Sequence, residues 1–237
     1  NMHIHIIMPV ISSVKNKKIL EHCERVSSNN TELTISTITK GSISIESMYD
    51  EEVGAIGILR EVQKAQDEGA DGVIIYCFGN PAIEAAKELA DIPVIGIGEA
   101  AQTIALPLCE SYGIISTVQN SVARNMRKAK ILGTYEKLGS VIPLNMKVTE
   151  LTDHSDDLVE RICELLQREI KNKGLDLLIQ GCGYLIGLSG KISEKLRVPV
   201  IDSGLAAIKL METYVSLNIR QSKRSYMKPP EKERRFC

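Results

Sequence analysis

Two cysteines stand at matching places in this sequence, each just after a short apolar run. Cys77 follows the run Val73–Tyr76, and Cys182 follows the run Leu177–Gln180 after one intervening glycine. Short unbroken runs of aliphatic residues are typical of strands that are buried on both faces of a parallel sheet. Because open α/β sheets bind ligands at the carboxyl ends of their strands, we expect both thiols to lie at a ligand site.

A thiol at such a place acts as a base only after it has lost its proton. A free cysteine with a pKa of about 8.5 is only about 3% thiolate at pH 7. Asn80 and Pro81 predict a helix start just after Cys77, because Asn caps helices and Pro suits the first helical position. The positive end of that helix would lower the pKa of the Cys77 thiol toward about 7.

The spacing of the two cysteines recurs at other residues and indicates an internal repeat. Cys182 follows Cys77 by 105 residues, and Asp176 follows Asp71 by 105. A repeat of this length predicts two like α/β units, which usually pack about a pseudo-twofold axis. The two thiols would then face each other across the cleft between the units.

Facing thiols in one cleft are suited to proton exchange on both faces of a carbon atom. Two adjacent thiolates would repel each other, so we expect one shared negative charge, with one cysteine as base and the other as acid. The glycine-rich turns after both cysteines expose backbone N–H groups that can bind an enolate oxygen. The alternative to a catalytic role is that a cysteine is buried and acts only as a small hydrophobic residue. This is our interpretation of the four cysteines that have no partner in the repeat: Cys23, Cys109, Cys163 and Cys237.

Strands and helices alternate along the chain, which predicts parallel sheets with crossover helices. The expected fold class is α/β, with two similar parallel-sheet domains related by a pseudo-twofold axis and the active site in the cleft between them. We place the first domain at 1–110, completed by the C-terminal helix and tail at 204–237, and the second at 111–203. In the second domain, Thr152 or Asp153 is predicted to cap a helix.

The composition narrows the range of partners. The chain has 237 residues, of which 43% are hydrophobic and 25% charged, as in ordinary globular proteins. Its formal net charge of -1 provides no attraction to nucleic acid or to an anionic membrane. The apolar runs are shorter than the roughly 20 residues of a membrane helix, and no secretion signal is recognisable, so we expect a cytoplasmic protein. Its expected partners are a small molecule and copies of itself in a homo-oligomer.

Several other kinds of site are disfavoured. The cysteines form no C-x-x-C pair that would indicate a zinc site or a disulfide framework. No glycine-rich nucleotide motif stands between a predicted strand and a helix. His3 and His5 share one side of a strand but lack acidic or sulfur neighbours, so we expect no metal site. His22 is interpreted as a residue on a helix surface.

Four motifs spread over nearly the whole chain carry a family resemblance. They are Gly41-Ser42-Ile43-Ser44-Ile45-Glu46 with Tyr49-Asp50, Cys77-Phe78-Gly79-Asn80-Pro81, Gly181-Cys182-Gly183 and Asp202-Ser203-Gly204. With them the chain resembles the aspartate/glutamate/hydantoin racemase superfamily, and the hydantoin racemase branch in particular. The resemblance implies a cofactor-free racemase in which Cys77 and Cys182 are the catalytic acid and base and the substrate is a 5-substituted hydantoin.

The resemblance also implies which residues contact the substrate. Amino-acid racemases of the superfamily have Thr after the first cysteine and Thr-His after the second, where they help to bind carboxylates. This chain has Phe78 and Gly183-Tyr184 there, which favours a neutral or ring-shaped substrate over free aspartate or glutamate. The implied substrate-binding residues are Pro9, Ile45, Phe78, Gly79, Ser116, Thr117, Gly183 and Tyr184.

Three alternatives stay open at the level of sequence. Allantoin is itself a hydantoin and is an alternative substrate. Another carbon-acid racemase or isomerase of the superfamily is an alternative enzyme, although the related decarboxylases keep only one of the two cysteines. A non-catalytic small-molecule binding protein is the alternative of another class, since two α/β units around a cleft also describe such proteins.

Overall fold

The computed structural model describes residues 1–146 and 156–235, and its first half forms a four-stranded parallel sheet. The strands of this sheet are β1 (Met2–Met8), β2 (Thr31–Thr37), β3 (Gly72–Ile75) and β4 (Val94–Gly96). Their order across the sheet is β2-β1-β3-β4, so the strand that leads to Cys77 is an inner one.

A second four-stranded parallel sheet repeats this arrangement. Its strands are β5 (Tyr112–Ser116), β6 (Leu138–Pro143), β7 (Leu177–Gln180) and β8 (Val200–Ile201). The order is β6-β5-β7-β8, the same as in the first sheet when each unit is counted from its own first strand. The predicted α/β fold with two similar parallel-sheet units is therefore confirmed.

The inner strands that lead to the cysteines are buried throughout, as their apolar runs predicted. Every residue of β3 and of β7 is buried. β3 pairs with β1, and β7 pairs with β5 in the equivalent register. In both units the chain therefore leaves the sheet at its carboxyl edge, and the cysteine follows there.

Helices cover the sheets, because parallel strands require crossover connections. The described helices are α1 (Asn16–Glu24), α2 (Met48–Asp67), α3 (Ile83–Leu89), α4 (Ile97–Ala105), α5 (Ser121–Leu132), α6 (Asp156–Lys173), α7 (Leu188–Leu196) and α8 (Ser203–Ser216). α8 packs on α4 and β3 of the first unit. None of the helices within the described residues combines the length and apolar character that crossing a bilayer requires.

The two units share apolar cores beneath the cleft. Phe78, which follows Cys77, packs with Ala101 of α4 and with Tyr112 and Leu177 of the second sheet. A further core brings Ile186 of the second unit against Tyr76 and the first sheet. Because these contacts cross from one unit to the other, they fix the position of one cysteine strand relative to the other.

Two local predictions need correction or lie outside the described chain. α3 begins at Ile83 and not at Asn80, because Asn80 and Ala82 adopt left-handed backbone angles with φ of 49° and 56°. The Asn80 side chain instead accepts a hydrogen bond from the backbone N–H of Glu99, 3.1 Å away in the first turn of α4. The predicted cap at Thr152 or Asp153 lies outside the described residues.

Candidate active site

Cys77 and Cys182 lie at equivalent places, each two residues beyond the end of an inner strand. Both line one cleft that encloses about 560 Å³, part of it open to solvent. The predicted substrate-binding residues line the same cleft: Pro9, Ile45, Phe78, Gly79, Ser116, Thr117, Gly183 and Tyr184. The structure thus brings all the predicted site residues together, and their contact with substrate stays a prediction.

The turns after the two cysteines direct a backbone N–H group at each sulfur. The N–H of Gly79 donates to the sulfur of Cys77, and the N–H of Tyr184 donates to Sγ of Cys182 over 3.5 Å. In both turns the donor is the second residue after the cysteine, so the repeat extends to the sulfurs. These amides, expected to bind a substrate oxygen, instead stabilise a thiolate when one forms.

Both thiols titrate higher than a free cysteine. Burial and, to a smaller extent, the carboxylate of Glu51 raise the pKa of the Cys77 thiol to about 11. Burial also raises the pKa of the Cys182 thiol to about 11. The predicted pKa near 7 is therefore wrong: the loss of water around the buried sulfur outweighs any effect of the positive end of α3, which begins only at Ile83.

Cations lie near both sulfurs and oppose the effect of burial. Arg124 and Lys128 lower the pKa of Cys77, whereas Lys15 lowers the pKa of Cys182. A negative charge on either sulfur is therefore favoured by a positive charge nearby. This arrangement is compatible with one charge that resides on either cysteine in turn.

A buried charged cluster joins the two units beside Cys77. Lys128 Nζ donates to Glu51 Oε2 over 2.6 Å and also to the backbone carbonyl of Gly79. Arg124 Nε lies 3.6 Å from Glu51 Oε1, and the side chains of Arg124 and Glu51 are only 10% and 6% exposed. Glu51 belongs to α2 and both cations belong to α5, so the cluster spans the cleft. Two cations and one carboxylate leave it with a net positive charge.

The loop that carries Ile45 is held in place by a single carboxylate. Asp50, in the first turn of α2, accepts hydrogen bonds from Ser42 Oγ and Ser47 Oγ, each over 2.7 Å, and from the backbone N–H of Glu46 over 3.1 Å. These contacts close the loop on both sides of Ile45. The apolar side chain is thereby presented to the cleft.

On the opposite side, Ser116 ends β5 and its hydroxyl is occupied by neighbours. Ser116 Oγ is hydrogen-bonded to Ser121 Oγ and accepts a bond from Asn125 Nδ2 over 3.3 Å. Thr117, the next residue, is 5% exposed and also lines the cleft. The polar side of the cleft is therefore formed by the chain between β5 and α5.

Several residues that line the cleft were not predicted from the sequence. They are Met8, Val10, Tyr76, Arg124, Asn125 and Gly181. Arg124 and Asn125 lie in the first half of α5, the helix that follows β5. A signal was available for them, because the first turns of a helix that follows a strand at the ligand-binding edge face that edge.

The described residues offer no set of metal ligands. Within 1–146 and 156–235, no group of three or more His, Cys, Asp or Glu side chains is arranged to hold a metal ion. His3 Nε2 and His5 Nδ1 both lie 2.7 Å from Thr34 Oγ1. His5 Nε2 lies 2.8 Å from Ser36 Oγ, so these imidazoles are engaged by hydroxyl groups of β2.

The chain is similar to known racemases in sequence and in fold over nearly its whole length. The hydantoin racemase of Paenarthrobacter aurescens is 28% identical over 98% of this chain and 99% of its own. The solved allantoin racemase of Klebsiella pneumoniae matches with a TM-score of 0.94 at 30% identity and covers 100% of this chain and 97% of its own. That of Pseudomonas fluorescens matches with a TM-score of 0.94 at 29% identity and covers 99% of this chain and 100% of its own.

The family model for Asp/Glu/Hydantoin racemase matches residues 4–211, which span both sheets and both cysteines. The chain therefore belongs to the Asp/Glu/hydantoin racemase family.

Proposed function

We propose that this racemase inverts the ring stereocentre of a 5-substituted hydantoin by a two-base mechanism with Cys77 and Cys182 as acid and base. The observation that supports it best is that two thiols from equivalent strands line one cleft. Each sulfur has a backbone N–H donor, from Gly79 at Cys77 and from Tyr184 at Cys182, and at least one cation nearby. Either sulfur is therefore stabilised when it is negatively charged, as a reaction that runs in both directions requires.

The proton transfers follow from this arrangement. One cysteine, as the thiolate, removes the proton from C5 of the ring and becomes a thiol. The electron pair of the broken C–H bond moves into the adjacent carbonyl and forms an enolate. The opposite cysteine, as the thiol, donates its proton to the other face of C5 and becomes the thiolate. Each turnover thus moves the negative charge from one sulfur to the other, and the mechanism uses no cofactor.

A high pKa has two opposite effects on such a base. A thiol with a pKa of about 11 is ionised only about once in 10⁴ molecules at pH 7, which costs about 5 kcal/mol. The thiolate that does form is a stronger base toward a weakly acidic C–H group than an ordinary cysteine would be. Substrate binding that favours the ionised cysteine therefore raises the rate directly.

Allantoin is a second candidate substrate, since it is a hydantoin with a ureido group at C5. The observation in its favour is the similarity to the two solved allantoin racemases, each with a TM-score of 0.94 over at least 99% of this chain. The chemistry at C5 would be the same for both candidates. Only the contacts to the substituent would differ.

The proposed function is tested by the loss of optical rotation from pure D- and L-5-substituted hydantoins and from allantoin. A reaction without enzyme is the control, because some hydantoins racemise unaided, and L-aspartate and L-glutamate serve as comparison substrates. We expect equal final mixtures from either enantiomer of a hydantoin. Racemisation of the free amino acids with none of the hydantoins would overturn the proposal.

We also propose a homo-oligomer, supported by large apolar side chains that are exposed on α2. Met48, Tyr49, Val53 and Ile56 are 47%, 76%, 43% and 43% exposed. Contiguous exposed apolar surface marks interaction sites more often than isolated residues do. Light scattering during gel filtration gives the mass, and a monomer at micromolar concentration would contradict the proposal. The cytoplasmic location stays a prediction.

A further inference from the structure

One charged side chain stands out in the wall of the cleft. Among the residues that the structure describes, Arg124 is the only charged one that lines it, the others being apolar, glycine, hydroxyl, amide or thiol. Arg124 is 8% exposed, and a guanidinium keeps its charge at every pH a protein tolerates. The cleft therefore presents a permanent positive charge to whatever binds there.

Arg124 also has donors that the described part of the protein leaves unused. Its Nε and Nη1 are buried and have no hydrogen-bond partner among residues 1–146 and 156–235. Nε lies 3.6 Å from Glu51 Oε1, too far for a hydrogen bond, and Oε1 has no partner among these residues either. Buried donors of folded proteins are normally paired, so unused guanidinium donors in a binding cleft indicate an acceptor that arrives with the ligand.

The neighbouring charges do not neutralise Arg124. Glu51 is the carboxylate of the cluster, and its Oε2 accepts from Lys128 over 2.6 Å. Lys128 is a second cation, and it is held in place by the carbonyl of Gly79 as well. While Cys77 is the neutral thiol, as its pKa of about 11 makes it at pH 7, a ligand with one negative charge would balance the cluster, whereas a neutral ligand would leave it unbalanced.

We propose that the substrate carries a carboxylate on its 5-substituent and that Arg124 binds this carboxylate and thereby sets the specificity. The inference rests on the proposed function and concerns only which hydantoin is used. Guanidinium groups bind carboxylates with charge-assisted hydrogen bonds of defined geometry. Asn125, adjacent on α5, also lines the cleft.

The test compares three substrates with the same ring and side chains of similar shape: 5-carboxymethyl-, 5-carbamoylmethyl- and 5-isobutylhydantoin. We expect kcat/KM of the wild type to be highest for the carboxymethyl compound. In Arg124→Met, the ratio of kcat/KM between the carboxymethyl and isobutyl compounds should fall by about 10- to 100-fold, as for loss of a charged hydrogen bond. The matched control is Arg127→Met on the exposed side of the same helix, which should keep the ratio.

A second variant and a second measurement keep the result decisive. Arg124→Lys retains the charge and should retain part of the preference. Calorimetric binding of the three compounds measures affinity independently of the rate of racemisation, and we expect Arg124→Met to lose the tighter binding of the carboxylate. The proposal is overturned if the wild type binds and converts the three compounds equally well, or if Arg124→Met weakens all three alike. Absence of any racemisation, with the carboxylate preference in binding intact, would instead overturn the proposed function.

Discussion

Lys15 lies over the ring of Tyr184, with its Nζ 3.8 Å from the ring centroid. The backbone N–H of Tyr184 donates to Cys182, so one residue both supports the sulfur and holds a cation near it. Burial lowers the pKa of Lys15, and the negative charge of Cys182 opposes that effect. The ammonium and the sulfur therefore stabilise each other when both are ionised.

Replacing Lys15 with Met should raise the pKa of Cys182 further and lower kcat/KM at pH 7 by about 5- to 30-fold, the range for about 1–2 kcal/mol. The same loss is expected for both enantiomers, because the equilibrium constant of a racemisation is one. Rates of alkylation, followed by mass spectrometry, should fall at Cys182 and stay the same at Cys77. Lys17→Met is the control, since that side chain is 89% exposed. An unchanged rate at Cys182 would contradict the role of Lys15.

The pKa values of the two thiols predict how the free enzyme reacts with iodoacetamide. Because burial raises the pKa of Cys77 and Cys182 to about 11, the thiolate fraction of each rises about tenfold per pH unit below that value. The rates at both residues should therefore increase from pH 7 to pH 10 without reaching a plateau. A small-molecule thiol with a pKa of about 8.5 should level off within this range. A plateau at Cys77 or Cys182 below pH 9 would disagree with the prediction.

The cysteine pair and the two-sheet fold could be predicted because their signals are local or periodic. The apolar runs before Cys77 and Cys182 mark buried strands, and the 105-residue spacing identifies the repeat. The predicted helix start at Asn80 also depended on a local signal, but this prediction was wrong, because α3 begins at Ile83. The side chain of Asn80 instead accepts a hydrogen bond from the backbone N–H of Glu99 in α4. No local sequence pattern predicts that contact.

Contacts between distant parts of the chain account for the other misses. His22 was interpreted as a surface residue, yet it is 5% exposed and its Nε2 lies 2.9 Å from Oδ2 of Asp202. The two residues are 180 positions apart. The ion pair of Arg124 with Glu51, which belongs to the other unit, is likewise not visible in the sequence. The predicted pKa of Cys77 was wrong for a similar reason, because its thiol is buried by the assembled cleft and not by its neighbours in sequence.

The proposed two-base mechanism predicts that serine in place of either Cys77 or Cys182 abolishes racemisation, since an alcohol is far too weak an acid to replace a thiol in this exchange. Each variant should still exchange the C5 proton of one enantiomer with deuterium from solvent, and the two variants should act on opposite enantiomers. Proton NMR of each enantiomer in D₂O measures this. Cys109→Ser is the matched control, because Cys109 is buried and its Sγ donates to the Ala105 carbonyl. Normal racemisation by Cys182→Ser would exclude the two-base mechanism.

The turn after Cys182 depends on a glycine, which a pair of alanine variants can show. A Cβ at Gly183 would lie 2.5 Å from the ring of Tyr76, which is 4% exposed. Gly183→Ala should therefore lower the free energy of unfolding by about 1–3 kcal/mol. It should also displace the Tyr184 N–H from the sulfur and reduce kcat/KM. Gly190→Ala, in the exposed part of α7 with open space around it, should instead stabilise the fold by about 0.5–1 kcal/mol. Urea unfolding of both variants measures the contrast, and equal stability of the two would show that the turn tolerates a side chain.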